Sequence, residues 1–233
     1  MGVQRTLNNP VKVLEDIDGI RNVLNLSKNT GVQRIFYSSS SEVYGEPFEI
    51  PQNEETTPLN SRLPYAIVKN VGESYLRAFE REFGLDYTIF RFFNTYGVQQ
   101  SDDFVMSKFI RAAVNNQPIT LFGDGLQTRT FCNINDNVDA CFEVYAQQAY
   151  INDVINIGSD DEITIKDLAE MIIQTCDSSS KIIHLPALEE GDMRRRKPDN
   201  SKMKSILNRE LIPIHKGIQE IVDSLRTEEH VRN

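Results

Sequence analysis

Twice in the first half of the chain, an amphipathic helical pattern closed by glycine runs into a short apolar strand. The first is "PVKVLEDIDGIRNVLNLSKNTG" followed by "VQRIFYSS"; the second is "PYAIVKNVGESYLRAFEREFG" followed by "DYTIFRFFN". Pro10 and Pro64 suit the first helical position, where the missing N–H costs nothing, and Gly31 and Gly84 suit the residue past the last turn. In the first helix, Val11, Leu14, Ile17, Ile20, Val23, Leu24 and Leu26 form the apolar stripe. Strands this short and apolar need cover on both faces, and helices that alternate with strands make the strands parallel. The alternation therefore predicts an α/β fold, a parallel sheet flanked by helices.

The second half continues in pieces. "DDFVMSKFIRAAVNN" reads as a helix, "PITLFGDG" as a strand and turn, and "QTRTFCNI" as extended. Asp136 is placed to cap "DNVDACFEVYAQQ". "DVINIG" and "KIIHLP" read as strands, and "IPIHKGIQEIVDSL" as a closing helix. Thr164 and Asp167 occupy capping-box positions ahead of "LAEMIIQTC". Phe36, Tyr37, Phe90 and Phe93 are expected in the core, and Tyr44 as a packed aromatic with a bonded hydroxyl.

Charge and cysteine usage narrow the function classes. A net charge of −9 argues against nucleic acid, and the one basic cluster, Arg194 to Lys197, is long enough only for a small anion. Cys132, Cys141 and Cys176 are odd in number and form no Cys-x-x-Cys, the pattern of reduced, buried thiols in a cytoplasmic protein. His184, His215 and His230 are scattered, so no metal site is expected. No apolar run approaches the roughly 18 residues of a membrane span. The first residues lack the apolar core of a signal peptide, although they fit the short Met-Gly-x-x-x-Thr myristoylation pattern.

Two features carry possible chemistry. "IFYSSSSEVYGEP" ends an apolar strand in four serines and an acid, and polar groups there are costly unless used. Tyr65 and Lys69 stand four apart on one face of the second helix. A free tyrosine has a pKa of about 10, and a neighbouring ammonium lowers it. A tyrosine so tuned can take a proton from a hydroxyl. Alone, the pair is a weak signal, because such pairs occur by chance on many helices and then read as a surface pair.

The serine cluster, Tyr-x-x-x-Lys, "TIFRFFNTYG", "GDGLQTRTFCNINDNVDA" and "EEGDMRRRKPD" follow one another in order. In this the chain resembles the extended short-chain dehydrogenase/reductase family, in its nucleotide-sugar epimerase, dehydratase and decarboxylase branch, from Gly2 to about Leu225. The resemblance implies NAD as cofactor and a nucleotide-diphosphate sugar oxidised at C4 as substrate. It implies that Ser40 holds the reacting oxygen, that Tyr65 is the base, and that Lys69 is its partner and a cofactor contact. Phe92 and Ser38 fall on the nicotinamide side. Asn94, Arg129, Arg194 and Asp192 fall on the substrate side, with Asn94 and Arg129 toward the phosphates. Ser38 and Ser39 read equally as strand-end packing, and Asp192 as a cap or a partner of the arginine run. The implied fold is an incomplete Rossmann-like parallel sheet with a smaller C-terminal substrate-binding lobe. Residues 1–95 and 136–158 fall to the dinucleotide part, and 96–135 and 159–233 to the lobe. Helices 10–28 and 64–83 would form a homodimer.

Ser40-Ser41-Glu42 and Arg196-Lys197-Pro198-Asp199 bear on the branch. In the resembled decarboxylases the triplet is usually Thr-Ser-Glu with a later "RKPD"-like segment. The resemblance thus points to a UDP-glucuronate decarboxylase or a 4-epimerase, with a 4,6-dehydratase as the alternative. Glu42 and Arg196 would supply the proton and the charge stabilisation after loss of CO2. The 233 residues contain no Gly-x-x-Gly-x-x-Gly turn, the family's cradle for the dinucleotide pyrophosphate. The expectation is weakened NAD binding, an uncovered sheet edge and a poor catalyst in this chain alone. A non-catalytic remnant that binds a nucleotide sugar or a partner subunit is the second class of reading.

Overall fold

The computed structural model describes residues 6–46, 48–186 and 195–232, without the side chains of 228–232. The first predicted helix is two: α1 (Pro10–Leu14) and α2 (Asp16–Asn29), separated at Glu15. Strand β1 (Arg34–Ser40) leads into a one-turn 3₁₀ helix, Ser41–Tyr44. Helix α3 (Pro64–Phe83) starts on its proline and ends on Gly84 at a φ of 66°, whose N–H reaches the Glu80 carbonyl at 2.8 Å. β2 (Asp86–Phe92) follows. β1, β2 and the later β7 (Asp153–Ile157) form the predicted parallel sheet in the order β1-β2-β7. Its register sets Ser40 against Phe92 and Phe92 against Ile157, so the three carboxyl ends lie side by side.

Both faces of that sheet are covered. On one, Leu24 of α2 and Leu76 and Phe79 of α3 pack on Tyr87, Ile89 and Val154. Gly72 of α3 makes the approach: a Cβ there would stand 2.1 Å from the Tyr37 hydroxyl. On the other face, Ala140 and Val144 of α5 (Ile134–Ala146) and Met203 and Ile206 of α7 (Ser201–Leu207) pack on Phe90, Ile155 and Ile157. α7 thus joins the sheet, although its sequence range fell to the substrate lobe.

A third core lies apart. It joins α4 (Val105–Val114), α6 (Ile165–Cys176) and α8 (Ile214–Arg232) through Phe109, Ile110, Leu168, Ile172, Ile218 and Val222. Three two-stranded sheets frame it. β3 (Thr95–Tyr96) pairs with β6 (Cys132–Asn133), β4 (Ile119–Phe122) with β9 (Ile182–Leu185), and β5 (Thr128–Thr130) with β8 (Glu162–Thr164).

The structure corrects several details. Val11 is 72% exposed, and Leu14, Val23 and Leu26 are also exposed; Leu24 is buried as expected, and Val13 takes the place of Val11 and Leu14 because the break at Glu15 shifts the first turn's phase. Phe36 is 38% exposed rather than core. β1 is the edge of its sheet, and the ring stacks on Phe90 while one side stays open. The cap of α5 is Asn133, whose side chain accepts the Asn135 N–H. Asp136 is fully buried one turn in and accepts from Arg209 and the Ile212 N–H. Thr164 does cap α6, accepting the Asp167 N–H at 2.9 Å. All three cysteines are free thiols; Cys132 and Cys176 are buried and Cys141 half-buried.

Candidate active site

Parallel strands present their carboxyl ends to ligands, and the predicted residues gather at that end of the sheet. Ser40 closes β1 in extended conformation, and its hydroxyl accepts the Glu42 N–H at 3.2 Å. This short bond starts the 3₁₀ turn and explains why consecutive serines sit there: one ends a strand and caps the next turn. Ser41 is buried, and its hydroxyl accepts from Arg196 Nη1 at 3.3 Å. Arg196 is itself buried, brought in by the segment before α7. That segment is fixed to residue 52 by two backbone bonds of 2.8 Å, Gln52 N–H to the Lys197 carbonyl and Asp199 N–H to the Gln52 carbonyl.

Tyr65 is half-buried in the first turn of α3, where it shares one cavity wall with Ser40. Burial pushes the phenol above its ordinary value of 10.0 and the charge of Glu42 adds to this, while the nearby Ser40 hydroxyl and Arg196 pull it down. The sequence expectation gave the lowering role to Lys69. In the structure the Lys69 ammonium is tied to the Ser38 carbonyl at 2.9 Å and stands 5.6 Å from the centre of the Tyr65 ring. Burial holds Lys69 below its usual value, opposed by Asp16.

Ser38, Ser40, Ser41, Glu42, Tyr65, Phe92, Asn94 and Arg196 all line one cavity of about 470 Å³. Asn94 adopts a positive φ of 31°, which asparagine tolerates, and donates to the Thr130 carbonyl at 2.9 Å. Lys69 lines a neighbouring hollow of about 550 Å³, beside Tyr37, Val68 and Ile20. Arg129 is not in the cavity wall; it lies on β5 opposite Ile163 and donates to the Thr128 carbonyl. Arg194 and Asp192 lie outside the described residues. Sequence reasoning missed Gln99 and Gln100 of the wall, which directly follow "NTYG", and Phe104 and Met106 from the start of α4. It also missed the buried Glu73–Arg91 ion pair behind the site.

The donor set bears on NAD. The Tyr65 hydroxyl, the Lys69 ammonium and the flat Phe92 ring beside the strand ends fit the nicotinamide-ribose end of a dinucleotide. The same residues offer nothing to its pyrophosphate, since the 233 residues hold no glycine-rich turn. Among the described residues no group of His, Cys, Asp and Glu could hold a metal ion, and no helix is long and apolar enough to cross a membrane.

Comparison with known proteins agrees with this geometry. The chain is 34% identical over 234 residues to UDP-glucuronic acid decarboxylase 1 of Danio rerio, covering 97% of this chain and 55% of the relative. It is 35% identical over 221 residues to a UDP-N-acetyl-alpha-D-glucosaminuronate decarboxylase of Bacillus cytotoxicus, covering 88% and 67%. The chain spans about half the length of several of these relatives, 55% and 51% in two cases. Among solved structures, a UDP-glucose 4-epimerase of Thermotoga maritima superposes with a TM-score of 0.91 at 28% identity, covering 98% of this chain and 75% of that one. The family model for NAD dependent epimerase/dehydratase matches residues 1–158. Ser40, Tyr65 and Lys69 at the end of a parallel sheet, and a match across two thirds of the chain, agree: the protein belongs to the NAD-dependent epimerase/dehydratase family.

Proposed function

We propose that the chain carries the substrate-side machinery of a nucleotide-sugar enzyme that oxidises C4 of a UDP-linked sugar and decarboxylates the 4-keto intermediate. The observation that carries this is Arg196 seated on Ser41 in the wall that also holds Ser40, Glu42 and Tyr65. A guanidinium there meets a carboxylate with two donors, and its fixed charge stabilises an enolate.

In this reading Ser40 holds the C4 oxygen while Tyr65 takes its proton. Lys69 and the Ser38 strand end, with Phe92, hold the nicotinamide side. Bound NAD supplies the hydride acceptor and returns the hydride. Arg196 steadies the C5 carboxylate, and the C5–CO2 bond breaks with its electrons entering the enolate. Glu42 gives the proton that C5 then takes, and Tyr65 returns its proton to the C4 oxygen as the ketone is reduced. Asn94 faces the same cavity for substrate contacts, and Arg129, outside that wall, with Arg194 and Asp192 is assigned to the substrate by family resemblance alone. The division into a cofactor part and a substrate lobe, a cytoplasmic location and a homodimer belong to the same proposal. The exposed Val11, Val23 and Leu26 of the first two helices and Ile67 of α3 favour the homodimer.

A 4-epimerase is the second reading, favoured by the close superposition with the Thermotoga maritima epimerase. The test is incubation of the 233-residue chain, and of a longer form bearing a glycine-rich turn, with NAD and UDP-glucuronate or UDP-glucose. Product mass lowered by CO2 supports the decarboxylase. Unchanged mass with altered configuration supports the epimerase. No reaction in the longer form defeats both.

A further inference from the structure

Behind the cavity lies an ion pair with no access to solvent: Arg91 is 1% exposed and Glu73 0%. The Arg91 fork closes on the carboxylate, Nε to Oε1 at 2.9 Å and Nη2 to Oε2 at 2.7 Å. Such a pair is a poor source of net stability, because desolvation of both charges offsets their attraction. Packed apolar side chains in the same volume often do as well. Its bonds, however, reach the elements that carry Ser40, Glu42, Tyr65 and Phe92 and the segment that carries Arg196.

Glu73 lies on the α3 face of Tyr65 and Lys69, at positions 65, 69 and 73. Its Oε1 accepts the hydroxyl of Ser39, the residue before Ser40, at 2.7 Å. Arg91 precedes Phe92 on β2, and its Nη1 donates at 2.8 Å to the hydroxyl of Tyr44, which ends the Ser41–Glu42 turn. The Tyr44 hydroxyl donates to Asn156 Oδ1 at 2.8 Å. Asn156 Nδ2 in turn donates to the carbonyls of Gln52 and Asp199, at 2.9 and 3.2 Å. That last step touches the segment that delivers Arg196.

We propose that Glu73 and Arg91 are positioning residues: they fix Ser40 and the Ser41–Glu42 turn against Tyr65 on one side and Arg196 on the other. The inference rests on Ser40 and Tyr65 being the reacting pair. The bonds of the web run from 2.7 to 3.2 Å, and Glu73, Arg91, Tyr44 and Asn156 each bond at least two other residues, so the spacing of the site residues is set from behind rather than by contacts in the cavity. A fork matters because two fixed bonds define an orientation, which a single lysine ammonium does not.

The test is the Glu73→Met/Arg91→Met double variant of the full chain, since either single change strands a buried charge. Two readouts are taken: the titration of Tyr65 by NMR of ring-labelled tyrosine, with Tyr65→Phe to assign it, and turnover with UDP-sugar and NAD. The double variant is expected to melt cooperatively like the parent. Its Tyr65 should titrate at higher pH, because the Ser40 hydroxyl that lowers the phenol is no longer held against it. Turnover should fall about 10²-fold with little change in KM, the cost of roughly 1 Å of misplacement. Arg91→Lys should fall between parent and double variant. If the double variant does not fold, Glu73→Gln replaces it with the same readouts. A folded variant whose Tyr65 titrates as in the parent overturns the proposal. A parent that turns over no nucleotide sugar defeats the functional reading instead, and the Tyr65 titration still decides this one.

Discussion

Arg196 Nη1 donates to the Ser41 hydroxyl at 3.3 Å, across 155 positions of sequence, and both residues are buried. A serine can share a site with an arginine without cancelling the guanidinium charge that would meet a substrate carboxylate. An aspartate at position 41 would neutralise it. Chemistry that removes a carboxylate therefore suits this pairing better than chemistry that eliminates water.

Arg196→Ala should lower decarboxylation by about 10²–10³-fold, the usual cost of losing a group that meets developing negative charge. CO2 release and substrate oxidation are measured separately. The expected signature is loss of the first with the second retained; equal loss of both would mean that Arg196 serves binding alone.

The pH profile follows from Tyr65. A base works deprotonated, and burial with Glu42 raises the Tyr65 phenol, so kcat/KM should climb with pH on its acid side. Glu42→Gln removes one raising influence, and the rising limb should move to lower pH. The same variant should lose turnover in the decarboxylation step. A limb that stays in place would separate Glu42 from the base.

Glu73 links pH to folding. Burial alone would push its carboxyl up, but the bonds from Arg91 and Ser39 more than reverse this and hold it below 4.5. A lowered folded value means stability present above the unfolded value and lost as pH falls through the folded one. The urea midpoint should therefore drop as pH falls below about 4.5, the ordinary carboxyl value. In Glu73→Gln that part of the drop should be missing, which urea titrations across the acid range will show.

Asp136 joins α5 to the segment beyond α7, accepting from Arg209 Nη1 at 2.6 Å and the Ile212 N–H at 2.8 Å. Asp136→Ala leaves the Ile212 N–H without its acceptor and removes one of the acceptors of Arg209, which keeps Asp139 and the Glu210 carbonyl, and should cost about 1–3 kcal/mol in urea unfolding. Asp136→Asn keeps the shape and should cost less. Equal midpoints for all three proteins would refute the role.

Much of this was legible in the sequence for definite reasons. Proline and glycine punctuation placed α3 and its end, because Pro64 and Gly84 leave few alternatives for the local backbone. The break at Glu15 was not legible, since no proline or glycine marks it. Phe36 looked like core because apolar content alone cannot tell an edge strand from a central one. Arg91 did leave a trace: a lone cation inside "TIFRFF" must find a buried acid. Glu73, however, is one of many acids on helices, and nothing local singles it out. The cavity role of Arg196 was legible only through family resemblance. Its docking on Ser41 depends on tertiary contacts between residues 52 and 197–199.

The backbone bridge between Gln52 and the 197–199 segment also sets an order of assembly. Ser40, Tyr65 and Lys69 are all in place once the first helices close on β1 and β2, a local event between near neighbours in sequence. Arg196 must wait for its own segment, residues 197–199, to dock on Gln52, about 150 positions earlier in the chain. During synthesis, Ser40, Tyr65 and Lys69 are thus brought together early, and Arg196 joins them last.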